Sequence, residues 1–413
     1  MSRRPRRRPV LLALVITAVL VGTDAGCAVT GGSSGGGLAG KYFVWDPYPQ
    51  FDQKSAWAGL LNACGKEAGV TVIRNSYDTG EMATMVEVAA PQQAQPDVLI
   101  VDNPTVSTLA HMKLLTTTAQ SRLDTSAVEP NLLAAGRLDG STYGVPIGAN
   151  TLALYYNKAV LKAAGVDVSS ITDWASLTSA LRRVTATGRK GITFAAVDTE
   201  EGTFQFLPWF WGAGAQLGNT RSAQAVAALT LLTDWVRKGY TVPTVLTNTQ
   251  DTSWKDFQSG NVAFAENGTW QLAPAGKLPF DYGIVRVPAR NGGSAAVPLG
   301  GEFVTVPVQQ DASRYAVSSR IVTCLTSAQN SLATDRTLSY IAPTAAVQRK
   351  QVAADPSLAV WVSAVQSAKG RTSDNLGPAY PAISSGLANA VHDSLSGSKS
   401  PQAALAAAKP AAK

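Results

Sequence analysis

The chain has 413 residues, with 35 lysines and arginines against 28 acidic residues, two histidines and three cysteines. His111 and His392 stand far from any cysteine or acidic cluster, so a converging zinc set is not expected and no metal or cofactor is assigned. Five arginines and Asp24 fall within the first 26 residues, so the basic excess belongs mostly to the leader and gives no argument for nucleic acid binding.

The N-terminus reads as an export leader. MSRRPRRRP is basic, and VLLALVITAVLVG is apolar but short for a membrane span. TDAGC resembles a bacterial lipobox in Ala25, Gly26 and Cys27, and departs from it at Asp24, where an aliphatic residue is usual. An ordinary signal peptide or an uncleaved anchor is the alternative. Arg7-Arg8 weakly resembles a twin-arginine signal. Residues 1–26 are therefore expected to be removed and Cys27 to be lipidated. Residues 27–40, rich in glycine and serine, form a flexible tether.

Elements follow in chain order. KYFVW is a predicted strand, SAWAGLLNACGKEAG a helix ending at Gly69, and VTVIR a strand. EMATMVEVAAPQQ is helical up to Pro91. DVLIV is an unbroken apolar run, the pattern of a strand buried on both faces. In YGVPIGANTLALYYNKAVLKAAGV, Pro146 holds an extended entry, alternating Leu152, Leu154 and Tyr156 predict a strand, and Asn157 caps a helix that Gly165 ends. A helix on Trp174, Leu177, Leu181 and Val184 follows, then the strand GITFAAV. LPWFWGAGA reads as a loop. Further helices are predicted at RSAQAVAALTLLTDWVRKG and DTSWKDFQSG, strands at NVAFAENG, DYGIVRVP and PLGGEFVTVP, and a helix at RYAVSSRIVTCLTSAQ. From Pro356 the chain is mostly helical, with AALAAAKPAAK frayed and 409–413 disordered. Strands alternating with helices predict an α/β protein with mostly parallel sheets. Cys64 and Cys324 both sit in helical patterns; a disulfide and two buried thiols remain alternatives.

The usual catalytic signatures are missing. There is no P-loop and no nucleophile elbow, and the adjacent Glu200 and Glu201 make no glycosidase pair. Tryptophans are the informative residues. Trp57, Trp174, Trp235, Trp254 and Trp361 fall on helical faces and read as core. Trp45, Trp209, Trp211 and Trp270 fall at turns or strand ends, beside Asp46, Asp102, Asn103 and Glu266. Open α/β sheets bind ligands at such ends. Aromatic faces beside carboxylates and amides suit the C–H face and hydroxyls of a sugar, with core packing the competing reading of each ring.

These segments resemble family 1 extracellular solute-binding proteins, the maltose-binding-protein-like class. YGVPIGANTLALYYNKAVLKAAGV followed by TDWASLTSAL is similar to the family's first crossover, PDVLIVDNPTVSTLAHMKLL to the segment before it, and DFQSGNVAFAENGTWQL, PLGGEFVTVP and TSAQNSLATDRTLSYIAPTAAV to later ones. The resemblance implies two α/β lobes around a ligand cleft: residues 41–147 plus 283–327 in one, 148–282 plus 328–408 in the other. It implies cleft positions for Asn150, Trp270, Phe204, Gly300, Gly301 and Glu302, and for Trp45, Asp102 and Asn103 in first-lobe loops. It places the helices bearing Cys64 and Cys324 in one lobe. The expected protein is a monomeric, lipid-anchored receptor on the outer face of the cytoplasmic membrane, without enzymatic activity. It hands a carbohydrate to ABC importer transmembrane subunits served by a separate ATPase. A polyamine, phosphodiester or peptide ligand is the alternative, and a secreted glycan-active enzyme the more distant one.

Overall fold

The computed structural model describes residues 40–372 and 376–408. The expected signal, the Cys27 anchor, the tether up to residue 39 and the tail 409–413 lie outside the described residues. Among the described residues, eleven strands run in chain order as β1 (Lys41–Asp46), β2 (Thr71–Ser76), β3 (Val98–Asp102), β4 (Arg137–Leu138), β5 (Ser141–Thr142), β6 (Val145–Pro146), β7 (Leu152–Asn157), β8 (Lys190–Thr193), β9 (Val262–Gly268), β10 (Tyr282–Val285) and β11 (Glu302–Thr305).

Two sheets organise the two lobes. The first has the order β2-β1-β3-β11-β6 and the second β10-β7-β9-β8, while β4 and β5 form a separate hairpin. Both sheets are mixed rather than mostly parallel. In the first, β1 runs parallel to β2 and β3, whereas β11 runs antiparallel to β3 and β6. In the second, only β8 and β9 are parallel, and β7 is antiparallel to β9 and β10. In each sheet one strand runs against all the others: β11 in the first and β7 in the second.

The apolar run at β3 behaves as its pattern predicts. Val98 and Ile100 face one core with Val44, Trp57 and Leu61; Leu99 and Val101 face the other with Val106 and Leu109. Cys64 and Cys324 are joined by a disulfide with Cα atoms 5.5 Å apart, linking helices Ala56–Glu67 and Tyr315–Leu325 across 260 positions.

Further expectations are corrected. Strand β10 pairs with β7, so residues 283–285, assigned to the first lobe, belong to the second. Helix Ala328–Leu338, assigned to the second lobe, packs against helices Ala56–Glu67 and Tyr315–Leu325 in the first. LPWFWGAGA is not a loop: helix Glu200–Gly212 runs through it with Pro208 inside. An interior proline costs a helix ~3 kcal/mol, yet every residue from Gly202 to Trp211 is buried, and that burial outweighs the cost. The terminal stretch is also more ordered than expected, since Pro401–Ala407 is helical and Arg221 Nη2 donates to the Ala408 carbonyl at 2.7 Å.

The chain segments linking the lobes are stitched side by side. The Ala149 and Ile341 amides exchange bonds with each other's carbonyls, both at 2.8 Å. Asn150 and Gly300 do the same at 3.2 and 2.9 Å, and the Ile147 amide donates to the Glu302 carbonyl at 2.9 Å. Gly301 has φ +99°, and a Cβ there would lie 2.4 Å from the Gly148 carbonyl oxygen, so this crossing accepts glycine alone.

Candidate ligand cleft

Two adjoining cavities lie where these crossings meet the strand ends. Their volumes are about 380 and 230 Å³, and Thr79, Asn150, Trp270 and Glu302 line both. Larger hollows of about 510 and 570 Å³ exist. The first lies between helices Tyr380–Leu395 and Pro401–Ala407 and the second beside helix Trp174–Ala186, and neither joins a Trp, Tyr or Phe ring to an acidic residue as the crossing does.

The first lobe supplies Asp102 from the end of β3. Its Oδ1 caps the helix Asn103–His111 by accepting from the Asn103 amide at 2.9 Å. On the neighbouring strand, Glu302 stands directly opposite Asp102. Glu302 is 7% exposed, and its Oε2 accepts the Tyr48 hydroxyl at 2.9 Å and the Tyr340 hydroxyl. Burial pushes its carboxyl up to about 7, aided by the Asp102 charge and opposed by the two tyrosine hydroxyls and Arg371.

The second lobe supplies the rings. β9 ends at Gly268, and Trp270 follows in a single tight turn. A Cβ on Gly268 would lie 2.1 Å from the Trp270 ring, so the glycine lets the indole fold back over the strand end. Phe204 stands 6.3 Å from Trp270, tilted by 52°. Asn150 nestles against Gly300, whose added Cβ would lie 1.9 Å from Asn150 Oδ1.

Arg371 ties the walls together. It donates from Nη2 to Asp102 at 2.5 Å, from Nη1 to Glu200 at 2.8 Å and from Nε to the Leu299 carbonyl at 3.2 Å. Its guanidinium also lies over the Phe204 ring at 5.0 Å. Burial works against its charge, but Asp102 and Glu200 hold its pKa above the ordinary arginine value. Glu200 in turn accepts from the hydroxyls of Tyr380, at 2.7 Å, and Ser384.

Of the ligand residues expected from sequence, Asp102, Asn150, Phe204, Trp270, Gly300, Gly301 and Glu302 line the cavities. Six do not. Asp46 is buried, pairing with Arg74 at 2.5 Å and accepting Trp57 Nε1 at 3.0 Å. Trp45 is buried edge-on to Tyr77. Asn103 Nδ2 donates to the Leu299 and Gly301 carbonyls, each at 3.1 Å, behind the cleft wall. Trp209 and Trp211 are core residues of their helix. Trp209 Nε1 donates at 2.7 Å to Glu266, which is wholly buried and held well above the usual carboxylate range by burial. Sequence reasoning missed Tyr48, Thr79, Glu201, Gln250, Tyr340 and Arg371 as lining residues. Tyr48 lies just past the end of β1, a position that could have signalled it; Arg371 carries no local signal. No group of three or more His, Cys, Asp or Glu among the described residues is arranged to hold a metal, and no described helix is long and apolar enough to cross a membrane.

Known proteins share this architecture. The GacH receptor of Streptomyces glaucescens GLA.O, solved unliganded and with acarbose and an acarbose homolog, is 25% identical with a TM-score of 0.74, over 89% of this chain and 95% of that one. UgpB of Mycobacterium tuberculosis, solved with glycerophosphocholine, shares the fold at 20% identity and a TM-score of 0.76, over 89% and 96%. A protein of Brucella abortus (strain 2308) named only as a binding protein is 27% identical over 170 residues. That alignment spans 38% of this chain and 40% of the relative, so the chain matches about two fifths of the length of these curated relatives. Residues 59–360 match the family of bacterial extracellular solute-binding proteins, and with the two-lobed fold and the cleft between its sheets, the chain belongs to that family.

Proposed function

We propose that the chain captures a carbohydrate in this cleft by closing its lobes, and delivers it to an ABC importer whose transmembrane and ATPase subunits are separate chains. The observation that carries the reading is the meeting of the Trp270 and Phe204 rings with Asp102, Asn150 and Glu302 around shared cavities. Rings offer a face to the C–H side of a pyranose, while carboxylate and amide oxygens accept its hydroxyls. The paired crossings at Asn150 and Gly300 supply a hinge about which the lobes can move. The acarbose complex of the GacH receptor supports a sugar ligand. Against a phosphodiester, the one arginine in the cleft is already engaged by two carboxylates.

A thermal-shift panel of mono- and oligosaccharides, followed by calorimetry, tests this reading, because a ligand that binds only the native state raises Tm. A sugar that raises Tm and loses affinity in Trp270→Ala supports it. A panel in which only non-sugars act overturns it. We further propose that the protein is exported, lipidated at Cys27 and held as a monomer on the outer face of the cytoplasmic membrane. Cys27→Ala then releases it or blocks its processing; a variant still membrane-bound and cleaved at the same place overturns the anchor.

A further inference from the structure

The charges around the cleft are unbalanced. Asp102, Glu200, Glu201 and Glu302 line the smaller cavity, and the sole cation among its lining residues is Arg371. Arg371 is 2% exposed, and its Nε, Nη1 and Nη2 all donate to protein oxygens. Arg74, behind Tyr48, is likewise consumed by Asp46. No cation among the described lining residues is therefore free to meet an anionic ligand.

Three carboxylates, by contrast, keep an oxygen in reserve. Asp102 takes Arg371 and the Asn103 amide on Oδ1, which leaves Oδ2. Glu201 accepts the Gln250 amide on Oε2, which leaves Oε1. Glu302 takes both tyrosine hydroxyls on Oε2, and its Oε1 has no protein donor although the residue is 93% buried and lines both cavities. Closing the lobes removes water from these oxygens; Asp102 has Arg371 as a counter-charge, but Glu201 and Glu302 have none, and Glu302 must then either keep its proton or meet a cation. A hydroxyl supplies a hydrogen bond but no charge. An ammonium supplies both, and its bond to a carboxylate is the stronger kind. The partly exposed Trp270 ring adds a face that attracts a cation.

We infer that the cleft prefers a carbohydrate carrying a basic nitrogen, an amino sugar, over its neutral or acidic counterpart; this rests on the carbohydrate reading above. The probes are glucosamine, glucose and glucuronate, and their β-1,4-linked disaccharides, titrated calorimetrically into the mature protein at one ionic strength. The amino member is expected to bind on the order of tenfold more tightly than the neutral one, the advantage narrowing with added salt, and the uronate more weakly than both. Glu201→Gln, outside the Arg371 network, is expected to narrow the amino-to-neutral ratio, and Asp102→Asn to do so as well. A neutral sugar or a uronate bound as tightly as the amine overturns the charge preference and leaves the carbohydrate reading standing. Binding of spermidine with none of any sugar overturns the carbohydrate reading instead, and the amino-sugar assignment with it.

Discussion

Arg371 Nη2 lies 2.5 Å from Asp102 Oδ1, joining residues 269 positions apart at the floor of the cleft. The same guanidinium reaches Glu200 on the second lobe, so one buried charge spans both walls. Arg371→Met leaves Asp102 and Glu200 facing each other uncompensated. Breaking a buried pair costs about 3–5 kcal/mol, and water at the half-exposed Glu200 moves the expected loss to about 2–3 kcal/mol. Urea unfolding of the variant measures it; an unchanged midpoint contradicts the role.

Trp270 is expected to act on ligand before it acts on folding. Its ring is partly exposed and lines both cavities. Trp270→Ala is expected to cost about 2–4 kcal/mol of sugar binding, roughly thirty- to thousandfold in Kd, with Tm near the parent's. A variant that melts far lower but binds normally once folded sinks the stacking role.

Glu302 should make stability depend on pH. The unfolded carboxyl releases its proton near its ordinary value of 4.5, whereas the folded one holds it to about 7. Stabilisation from the retained proton is complete below 4.5 and is lost as pH rises to about 7, by an amount of order 3 kcal/mol. Burial also raises Glu266 and Asp335, so the test is a difference. Parent minus Glu302→Gln, compared in denaturant midpoints from pH 4.5 to 7.5, should fall with pH. A flat difference excludes the mechanism.

Glu266 separates core from cleft. Its Oε2 takes Trp209 while Oε1 has no partner. Glu266→Gln keeps an acceptor for the indole and needs no proton. The expected outcome is unchanged ligand affinity, with stability equal to or above the parent's at pH 8. A large affinity loss would return Glu266 to the ligand site.

The Cys64–Cys324 bridge closes a loop of 260 positions. Replacing both cysteines by alanine should lower stability by about 2–4 kcal/mol, by loosening the unfolded chain. Thiol titration of unfolded parent before and after reduction should differ by two thiols; no difference denies the bridge.

Much of this was legible in the chain. Local patterns determined where strands and helices lie, because periodicity and capping are properties of neighbouring residues: DVLIV announced a strand covered on both faces, and Asn157 accepts from the Ala159 and Val160 amides as its position suggested. Loop-like composition at LPWFWGAGA misled, because a proline's local cost was outweighed by burial that no local window contains. Asp46, Asp102 and Glu302 look alike in sequence. Asp46 is silenced by Arg74 and Asp102 is held by Arg371, while Glu302 keeps an oxygen for the cleft. Only the tertiary structure decided which carboxylate meets a cation, because Arg74 and Arg371 arrive from 28 and 269 positions away, and what a carboxylate can do for a ligand is set by what already touches it.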